Sequence, residues 1–251
     1  MEALDFSGQV VLVTGGTKGI GRVIVDEFAS AGATVVACGR TEPDDLPNAT
    51  FIACDVRDPE QVDAMVSRIV DERGRFDVAV NNAGGAPSAD AATASPRLSE
   101  AIIRLNLLAP LHVAQAANRV MQDQDTGGSI VNIASVSGIR PSPTAAAYGA
   151  AKAGLLNLTQ TLAVEWAPKV RVNAVTAGLI RTELAGMWYG DEEAIAAVGA
   201  TVPLGRMGEP SDVASACLYL ASPLAAYISG ANIVVHGGGE RPAYQSAAKP
   251  T

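Results

Sequence analysis

The sequence predicts a doubly wound parallel α/β sheet of seven strands with helices on both faces. Short runs that are apolar throughout recur along the chain, and longer stretches with apolar residues at helical spacing lie between most of them. Continuously apolar strands are typical of a parallel sheet that helices cover on both sides. Alternation of such strands with helices favours a parallel sheet with right-handed crossovers.

The predicted strands are short and rich in β-branched residues, and they occupy residues 10–14, 34–38, 51–54, 78–80, 129–133, 170–175 and 232–235. The predicted helices have the apolar spacing of amphipathic segments and occupy residues 19–31, 59–72, 99–122, 146–166 and 210–220. The helices at 99–122 and 146–166 are apolar on more than one side, which is typical of helices that also pack against another subunit.

One long stretch, residues 180–208, contains no predicted strand. A connection of this length inside a compact domain is usually functional, so we expect it to form a lid. The tail, about residues 240–251, is small and polar, and we expect it to be frayed. We therefore expect residues 1–251 to form one domain with a lid and a flexible tail.

Composition excludes several classes of function. A net charge of −8 disfavours nucleic-acid binding, which needs a basic face. His112 and His236 are the only histidines, and the cysteines Cys38, Cys54 and Cys217 lack metal-site spacing, so we expect no metal. The thiols are typical of a reducing compartment. The sequence has no apolar run long enough to span a membrane, and its N-terminus lacks the pattern of a signal peptide, so we expect a cytoplasmic protein.

A glycine-rich stretch, residues 14–21, follows the first predicted strand and opens the first helix. Gly15, Gly19 and Gly21 permit a tight turn and a close approach of a phosphate to the backbone, and a helix N-terminus attracts phosphate. Taken alone, such a glycine pattern is equally compatible with a turn that has only a structural role. Its position after the first strand of an α/β alternation favours a dinucleotide-binding, Rossmann-type site.

The spacing T-G-x-x-x-G-x-G resembles the short-chain dehydrogenase/reductase family, and the chain is similar to its single-domain members such as 3-oxoacyl reductases and hydroxysteroid or secondary-alcohol dehydrogenases. Residues 81–84 read N-N-A-G, as in the family's turn after the fourth strand, and the resemblance continues to about Gly238. It implies an NAD(P)-dependent oxidoreductase acting on CH–OH groups. The implied cofactor site comprises Gly15, Thr17, Lys18, Gly19, Ile20, Gly21, Arg40, Asp55, Val56, Asn82, Ala83, Gly84, Tyr148, Lys152, Gly178, Ile180 and Thr182.

A tyrosine and a lysine stand four residues apart on a predicted helix. Tyr148 and Lys152 therefore share a helix face, and the loop before them leaves the end of a central strand, where open α/β sheets bind ligands. A surface Tyr–Lys pair is the alternative. Reduction of a ketone needs a proton donor, and an ammonium close by lowers the pKa of a phenol. Ser135 is expected to donate a hydrogen bond to the substrate oxygen, and Ser137 is the alternative candidate for this role.

The family resemblance adds a fourth catalytic residue. Asn106 lies in the long helix before the fifth strand, and in the family this asparagine helps to hold a water that relays protons through the lysine. From the helical pattern alone, Asn106 is a capping or core amide. The expected catalytic set is therefore Asn106, Ser135, Tyr148 and Lys152.

The end of the second strand favours NADP(H) over NAD(H). An NAD enzyme usually presents an acid to the ribose 2′-OH there, whereas this chain has Gly39 followed by Arg40. Lys18 in the phosphate loop stands where NADP-preferring family members often carry a second cation. A guanidinium binds a phosphate through paired donors. The alternative for Arg40 is an ordinary solvated arginine.

The lid predicts an apolar substrate. It contains Leu184 and Trp188, which we expect to contact the substrate with Ser135 and Tyr148, although they could simply pack the lid onto the core. The end of the helix before the fifth strand reads Gln-Asp-Gln-Asp at residues 122–125, and its acids would repel an acidic carrier protein. We therefore expect a free, mostly apolar ketone or secondary alcohol. The alternative is a 3-oxoacyl-thioester reductase.

Two rival functions are disfavoured, and the chain departs from the family pattern at two positions. An epimerase or dehydratase acting on a nucleotide sugar would need a separate substrate domain, and a non-catalytic NADPH-binding sensor would not need all four catalytic residues.

Ala177 replaces the proline most relatives carry after the sixth strand, which predicts a more mobile loop. His236 replaces an aspartate on the last strand, which in the family lies at a subunit interface. The resemblance implies a homotetramer.

Overall fold

The computed structural model describes residues 4–240 and 242–243, so the predicted tail lies mostly outside the described residues. The strands are β1 (Val10–Thr14), β2 (Thr34–Gly39), β3 (Thr50–Ala53), β4 (Val78–Asn81), β5 (Gly128–Ser135), β6 (Val170–Ala177) and β7 (Asn232–Val235). The helices are α1 (Gly19–Ser30), α2 (Pro59–Arg73), α3 (Pro96–Ile103), α4 (Ala109–Asp123), α5 (Ala146–Glu165), α6 (Ala185–Tyr189), α7 (Glu192–Thr201) and α8 (Pro210–Ala221).

The seven strands form one parallel sheet in the order β3-β2-β1-β4-β5-β6-β7, which confirms the predicted fold class. The order reverses between β1 and β4, so the chain crosses to opposite sides at this point and leaves a crevice at the carboxyl ends of the two strands. This crevice is where the glycine-rich stretch and the N-N-A-G turn meet.

Two apolar layers cover the sheet. One contains Val62 and Met65 of α2 and Val113 of α4, and the other contains Phe28 of α1 and Val213 of α8. The five inner strands β2, β1, β4, β5 and β6 each contribute buried residues to both layers because alternate side chains point to opposite faces, whereas the edge strands β3 and β7 do not. This explains why the strands are apolar throughout.

The predicted helix at residues 99–122 is wrong in one respect, because it is interrupted. A π-helical turn, Arg104–Leu108, separates α3 from α4, and the N–H of Ala109 bonds to the carbonyl of Arg104 five residues earlier. Pro110 explains the break, since it has no N–H to give to the carbonyl of Asn106 and its ring crowds that carbonyl. Single π-turns of this kind are frequently found at functional sites.

The segment at residues 180–208, which the sequence predicts to be a lid, is anchored at both of its ends. A β-bridge joins Ile180 to Gly208, and Arg206 forms a bidentate ion pair with Asp212 of α8. Between these anchors lie α6 and α7, whose apolar faces enclose a small cluster that includes Ala185, Ile195 and Met207. The lid therefore packs on its own small core, separate from the two layers of the sheet.

Candidate active site

A cleft of about 830 Å³ runs along the carboxyl ends of the strands, across the crevice between β1 and β4. At one end lie the turns after β2 and β3, and at the other lie β5, the start of α5 and the lid. Every residue predicted to contact the cofactor lines this cleft, as do Ser135 and Leu184. Asn106 and Trp188 do not.

The phosphate loop is fixed by the neighbouring turn after β4. Thr14 Oγ1 accepts from the N–H groups of Asn82 and Ala83 at 3.0 Å, and Asn82 Nδ2 donates to the carbonyls of Thr14 (2.9 Å) and Gly15 (3.1 Å). The side chain of Asn82 therefore holds the loop in shape. Gly21 fits this loop because a Cβ at that position would lie 2.3 Å from the Gly15 oxygen.

The N-terminus of α1 has no capping side chain of its own. Its N-cap residue is Lys18, whose side chain makes no capping hydrogen bond, and its first turn contains no acid. Free N–H groups at a helix N-terminus together with a glycine cradle suit the diphosphate of a dinucleotide. The loop thus fits the cofactor that the sequence predicts.

The end of the cleft beside the turns after β2 and β3, where the adenosine of a dinucleotide is expected, contains an unanticipated ion pair. Arg57 binds Asp55 with both its Nε (2.8 Å to Oδ1) and a second nitrogen, and this pairing lowers the pKa of Asp55 to about 2. Arg40 is exposed and lines the same end together with Lys18. A Cβ at Gly39 would make only ordinary contacts, the nearest being 3.6 Å from Thr17. Sequence reasoning missed Arg57, although its position two residues after Asp55 could have drawn attention.

The predicted catalytic side chains come together at the other end. Ser135 ends β5, and Tyr148 and Lys152 lie on the first turns of α5. Lys152 is 3% exposed, its Nζ donates to the Ile133 carbonyl at 2.7 Å, and it lies 5.7 Å from the centre of the Tyr148 ring. The i, i+4 spacing and the strand end therefore place three polar groups at one point of the cleft.

The pKa of Tyr148 is not lowered, although the sequence predicts that the Lys152 ammonium lowers it. Burial raises the pKa of Tyr148, and the Ser135 side chain, which hydrogen bonds to it, only partly opposes that rise. Burial lowers the pKa of Lys152 to about 8. Desolvation is thus the largest influence on both groups, and no charged neighbour contributes to either shift.

Asn106 is completely buried behind the catalytic groups. Its Oδ1 accepts from the Gly85 N–H at 2.9 Å, while its Nδ2 donates to the carbonyls of Gly85 (2.9 Å) and Ile102 (3.0 Å). A Cβ on Gly84 would lie 2.8 Å from Asn106 Oδ1 and 3.3 Å from Lys152 Nζ, so both polar groups flank this glycine. Asn106 therefore ties the N-N-A-G turn to the π-helical turn beside the lysine.

The two candidate serines occupy different positions. Ser135 lines the cleft, and its Oγ accepts from the N–H of Ser137 at 3.2 Å. Ser137 does not line the cleft and lies in the short 3₁₀ turn that follows β5, where its carbonyl faces Gly149 of α5. The geometry thus favours Ser135 as the group that faces a substrate.

The loop after β6 runs along the cleft and packs against the last strand. The N–H of Gly178 bonds to the carbonyl of Val235, and a Cβ on Gly178 would lie 2.6 Å from the Cβ of His236. Backbone contact with β7 and the bridge from Ile180 to Gly208 therefore hold this loop where Ala177 replaces proline.

At the other end of the cleft, where the substrate is expected, the structure corrects one prediction. Leu184 and Tyr189 line it, whereas Trp188 is 57% exposed and lies outside it. The cause is helical geometry: Tyr189 lies four residues after the buried Ala185 and shares its face, while Trp188 lies to the side of that face. The sequence placed an aromatic residue at the right element but at a position one residue away.

A charged pair lies beside Tyr189. Arg140, in the loop after β5, forms an ion pair with Glu240, and the charges of both influence the pKa of Tyr189, which burial raises. Glu240 stands at the start of the predicted tail, so this residue is held against the loop.

The described part of the chain shows no cluster of side chains that could hold a metal ion and no helix long and apolar enough to cross a membrane. Cys38, Cys54 and Cys217 are buried free thiols.

A nucleotide cleft at the switch point of a doubly wound sheet, with a tyrosine and a lysine at one end, defines a dinucleotide-dependent oxidoreductase. A family model described as enoyl-(acyl carrier protein) reductase matches residues 15–240. The chain belongs to the short-chain dehydrogenase/reductase family, and it is an NAD(P)(H)-dependent enzyme acting on CH–OH groups.

Several characterised proteins are similar to it. The 3alpha-hydroxysteroid dehydrogenase of Mediterraneibacter gnavus is 37% identical, with 91% of this chain and 96% of that protein covered. The 3-oxoacyl-acyl-carrier-protein reductase of Vibrio cholerae is 36% identical, covering 94% and 98%. The ligand-free aldohexose dehydrogenase of Thermoplasma acidophilum superposes with a TM-score of 0.88 at 33% identity, covering 98% of this chain and 97% of that one.

Proposed function

We propose that this chain is a single-domain, NADP(H)-preferring enzyme that interconverts a free, mostly apolar ketone and the corresponding secondary alcohol. The observation that supports this most is the convergence of Ser135, Tyr148 and Lys152 at one end of the cleft, with Arg40 and Lys18 at the other. A dinucleotide bound in this cleft would extend from one of these ends to the other.

The catalytic roles follow from the atoms at the substrate end. A bound nicotinamide supplies or accepts the hydride. The Tyr148 hydroxyl donates a proton to the substrate oxygen during reduction, and the Ser135 hydroxyl holds that oxygen. The Lys152 ammonium stabilises the phenolate that the proton transfer leaves behind. Asn106 holds the backbone turn beside Lys152. This contact keeps Lys152 in a fixed position relative to Ser135 and Tyr148.

The preference for NADP(H) rests on the charges at the adenosine end. Arg40 is exposed and makes no ion pair among the described residues, so its guanidinium is available to a 2′-phosphate. The carboxylate of Asp55 is neutralised by Arg57, so it repels a phosphate less than a free acid would. Glu42 also lines this end but lies on an exposed loop.

A pair of variants tests the cofactor preference. Arg40→Ala is expected to weaken NADPH binding by roughly 1.5–3 kcal/mol, the contribution of a charge-assisted hydrogen bond, and to leave NADH almost unchanged. Gly39→Asp, whose Cβ fits without a clash, is expected to improve NADH relative to NADPH by roughly tenfold or more because the new acid suits a 2′-OH. Equal weakening of both cofactors in Arg40→Ala would make Arg40 a structural residue.

Leu184 and Tyr189 support an apolar substrate, since they form the lid side of the cleft. The similar protein from Mediterraneibacter gnavus is named for a hydroxysteroid, an apolar alicyclic alcohol. The 3-oxoacyl-thioester alternative has its own support, because the matching family model and the Vibrio cholerae relative are named for substrates on an acyl carrier protein. In addition, exposed Lys169 donates to the Gln122 and Gln124 carbonyls, so this surface is not purely acidic.

Comparison of kcat/KM for a hydrophobic cyclic ketone with that for a 3-oxoacyl thioester, free and carrier-bound, decides between them. A higher value for the cyclic ketone supports the proposal. A clear preference for the carrier-bound thioester would establish the alternative. Loss of NADPH absorbance in either reaction also excludes a non-catalytic NADPH sensor.

We also propose a homotetramer located in the cytoplasm. Val164 of α5 is 81% exposed and Tyr227, in the turn that precedes β7, is fully exposed, so apolar surface is available on α5 and next to β7. Light scattering at micromolar concentration is expected to give the mass of four chains, and a monomer would refute the assembly.

A further inference from the structure

A carboxylate from the lid lies at the N-terminus of α1, where the cofactor diphosphate is expected. The backbone N–H of Gly19 donates to Oε1 of Glu183 at 2.9 Å, and the two residues are separated by 164 positions in the sequence. Helices α2, α3 and α7 are instead capped by the residue that directly precedes each of them, namely Asp58, Ser95 and Asp191.

The contact follows from how the lid leaves the sheet. After the bridge at Ile180, a short turn is closed by the N–H of Ala185 on the Thr182 carbonyl (2.9 Å) and by the N–H of Leu184 on Thr182 Oγ1 (3.3 Å). This turn directs Glu183 toward the phosphate loop. Thr182 approaches as well, since its methyl carbon would lie 3.7 Å from a Cβ on Gly19.

We infer that Glu183 competes intramolecularly with the cofactor for the α1 N-terminus, so that dinucleotide binding must displace the lid carboxylate. A carboxylate and a phosphate are both anions that a helix N-terminus attracts, and both cannot occupy the same N–H. The inference rests on the proposed position of the cofactor diphosphate at this loop. It assigns Glu183 a role in cofactor affinity that the catalytic residues do not have.

The structure provides room for the displaced side chain. A second cleft of about 900 Å³ lies behind the phosphate loop and shares Thr17, Lys18, Gly19, Thr182 and Glu183 with the cofactor cleft. Glu183 stands where the two clefts meet and is exposed. Its carboxylate is therefore able to swing into the second cleft without unpacking the apolar cluster of the lid.

The competing carboxylate also lies beside the expected substrate wall. Leu184 is the next residue and lines the other end of the cofactor cleft.

The test measures equilibrium dissociation constants of NADPH and NADH for the full-length wild type and for Glu183→Gln, which keeps the size of the side chain but removes its charge. If the contact holds four fifths to nine tenths of the free enzyme in a closed state, its loss tightens both cofactors by about fivefold to tenfold. Glu183→Ala, which removes the hydrogen bond as well, is expected to give at least the same gain. The matched control is Glu193→Gln, since Glu193 is an exposed lid carboxylate with no hydrogen bond or ion pair among the described residues.

Adenosine 2′-monophosphate separates the two ends of the cofactor site. It reaches Arg40 but carries no diphosphate, so its affinity is expected to be the same in wild type and Glu183→Gln. Unchanged or weaker NADPH binding in both Glu183 variants, with normal binding by wild type, would overturn the inference alone. An equal gain in Glu193→Gln would show a general charge effect and also overturn it. Failure of every form to bind NADPH would overturn the proposed cofactor site itself.

Discussion

Replacement of Lys152 by methionine is expected to make the fold more stable while abolishing catalysis. Lys152 is 3% exposed, and burial lowers its pKa from the usual 10.5 to about 8. Each pKa unit corresponds to about 1.36 kcal/mol, so holding the ammonium in this position costs about 3 kcal/mol at neutral pH. Methionine has a similar length and carries no charge to desolvate.

The gain is smaller than this cost because one hydrogen bond is lost. Lys152 Nζ donates to the Ile133 carbonyl at 2.7 Å, and loss of a partner for a buried carbonyl costs about 1–3 kcal/mol. Lys152→Met is therefore expected to raise the free energy of unfolding by up to about 2 kcal/mol at pH 7, or the Tm by up to about 8 °C. Urea unfolding and calorimetry measure both quantities.

The pH dependence provides a stricter check. The pKa of Lys152 is lower in the folded state than in the unfolded state, so between about pH 8 and 10.5 the unfolded chain binds a proton that the folded chain does not. Wild-type stability relative to Lys152→Met therefore rises with pH across this window, and the advantage of the variant shrinks. Lys169→Met, which removes an exposed lysine bound to two carbonyls, serves as the control and is expected not to stabilise. A variant less stable than wild type at pH 7, or a difference that is constant from pH 8 to 10.5, would refute the reasoning.

Three further predictions concern the reaction. Tyr148→Phe is expected to lower turnover by about 10²–10⁴, the usual contribution of a general acid, with NADPH affinity retained; near-normal turnover would overturn the assignment. Ser135→Ala is expected to be severely impaired and Ser137→Ala mildly, and steady-state kinetics showing the reverse order would make Ser137 the active group. Asn106→Asp is expected to raise the pKa of Lys152 and to move the limb of the kcat/KM pH profile near pH 8 upward, because it puts a carboxylate across Gly84 from the ammonium. A limb that stays near pH 8 would show that it does not report on Lys152.

The elements with strong local signals could be predicted from the sequence. All seven strands were predicted within two residues of their observed ends because each is a continuous apolar run between turn residues, and the start of α2 is marked by Asp58 followed by a proline. The positions of Tyr148 and Lys152 on one helix face also follow from local spacing. Local patterns suffice wherever neighbouring residues in the chain determine the geometry.

The features that were missed are mostly ones that local sequence patterns do not determine. The contact of Glu183 with Gly19 spans 164 positions, so no local pattern indicates it. The exposure of Trp188 depends on the rotation of a five-residue helix about its axis, which periodicity cannot determine over so short a segment. The π-helical turn is different, because Pro110 inside a predicted helix was a visible signal for a break four residues earlier.

The neutral character of the groups around Lys152 connects its stability cost with its function. Its Nζ donates to the Ile133 carbonyl, and the amide of Asn106 lies across Gly84 from it; neither group bears a charge. A carboxylate in place of Asn106 would offset the desolvation of the ammonium, but it would also hold the proton on the lysine well above neutral pH. Burial without a charged neighbour leaves the pKa of Lys152 at about 8, close to the pH at which an acid–base group works best. The π-helical turn, which Pro110 causes, puts Asn106 at this position. This local irregularity therefore places a neutral amide across Gly84 from the lysine.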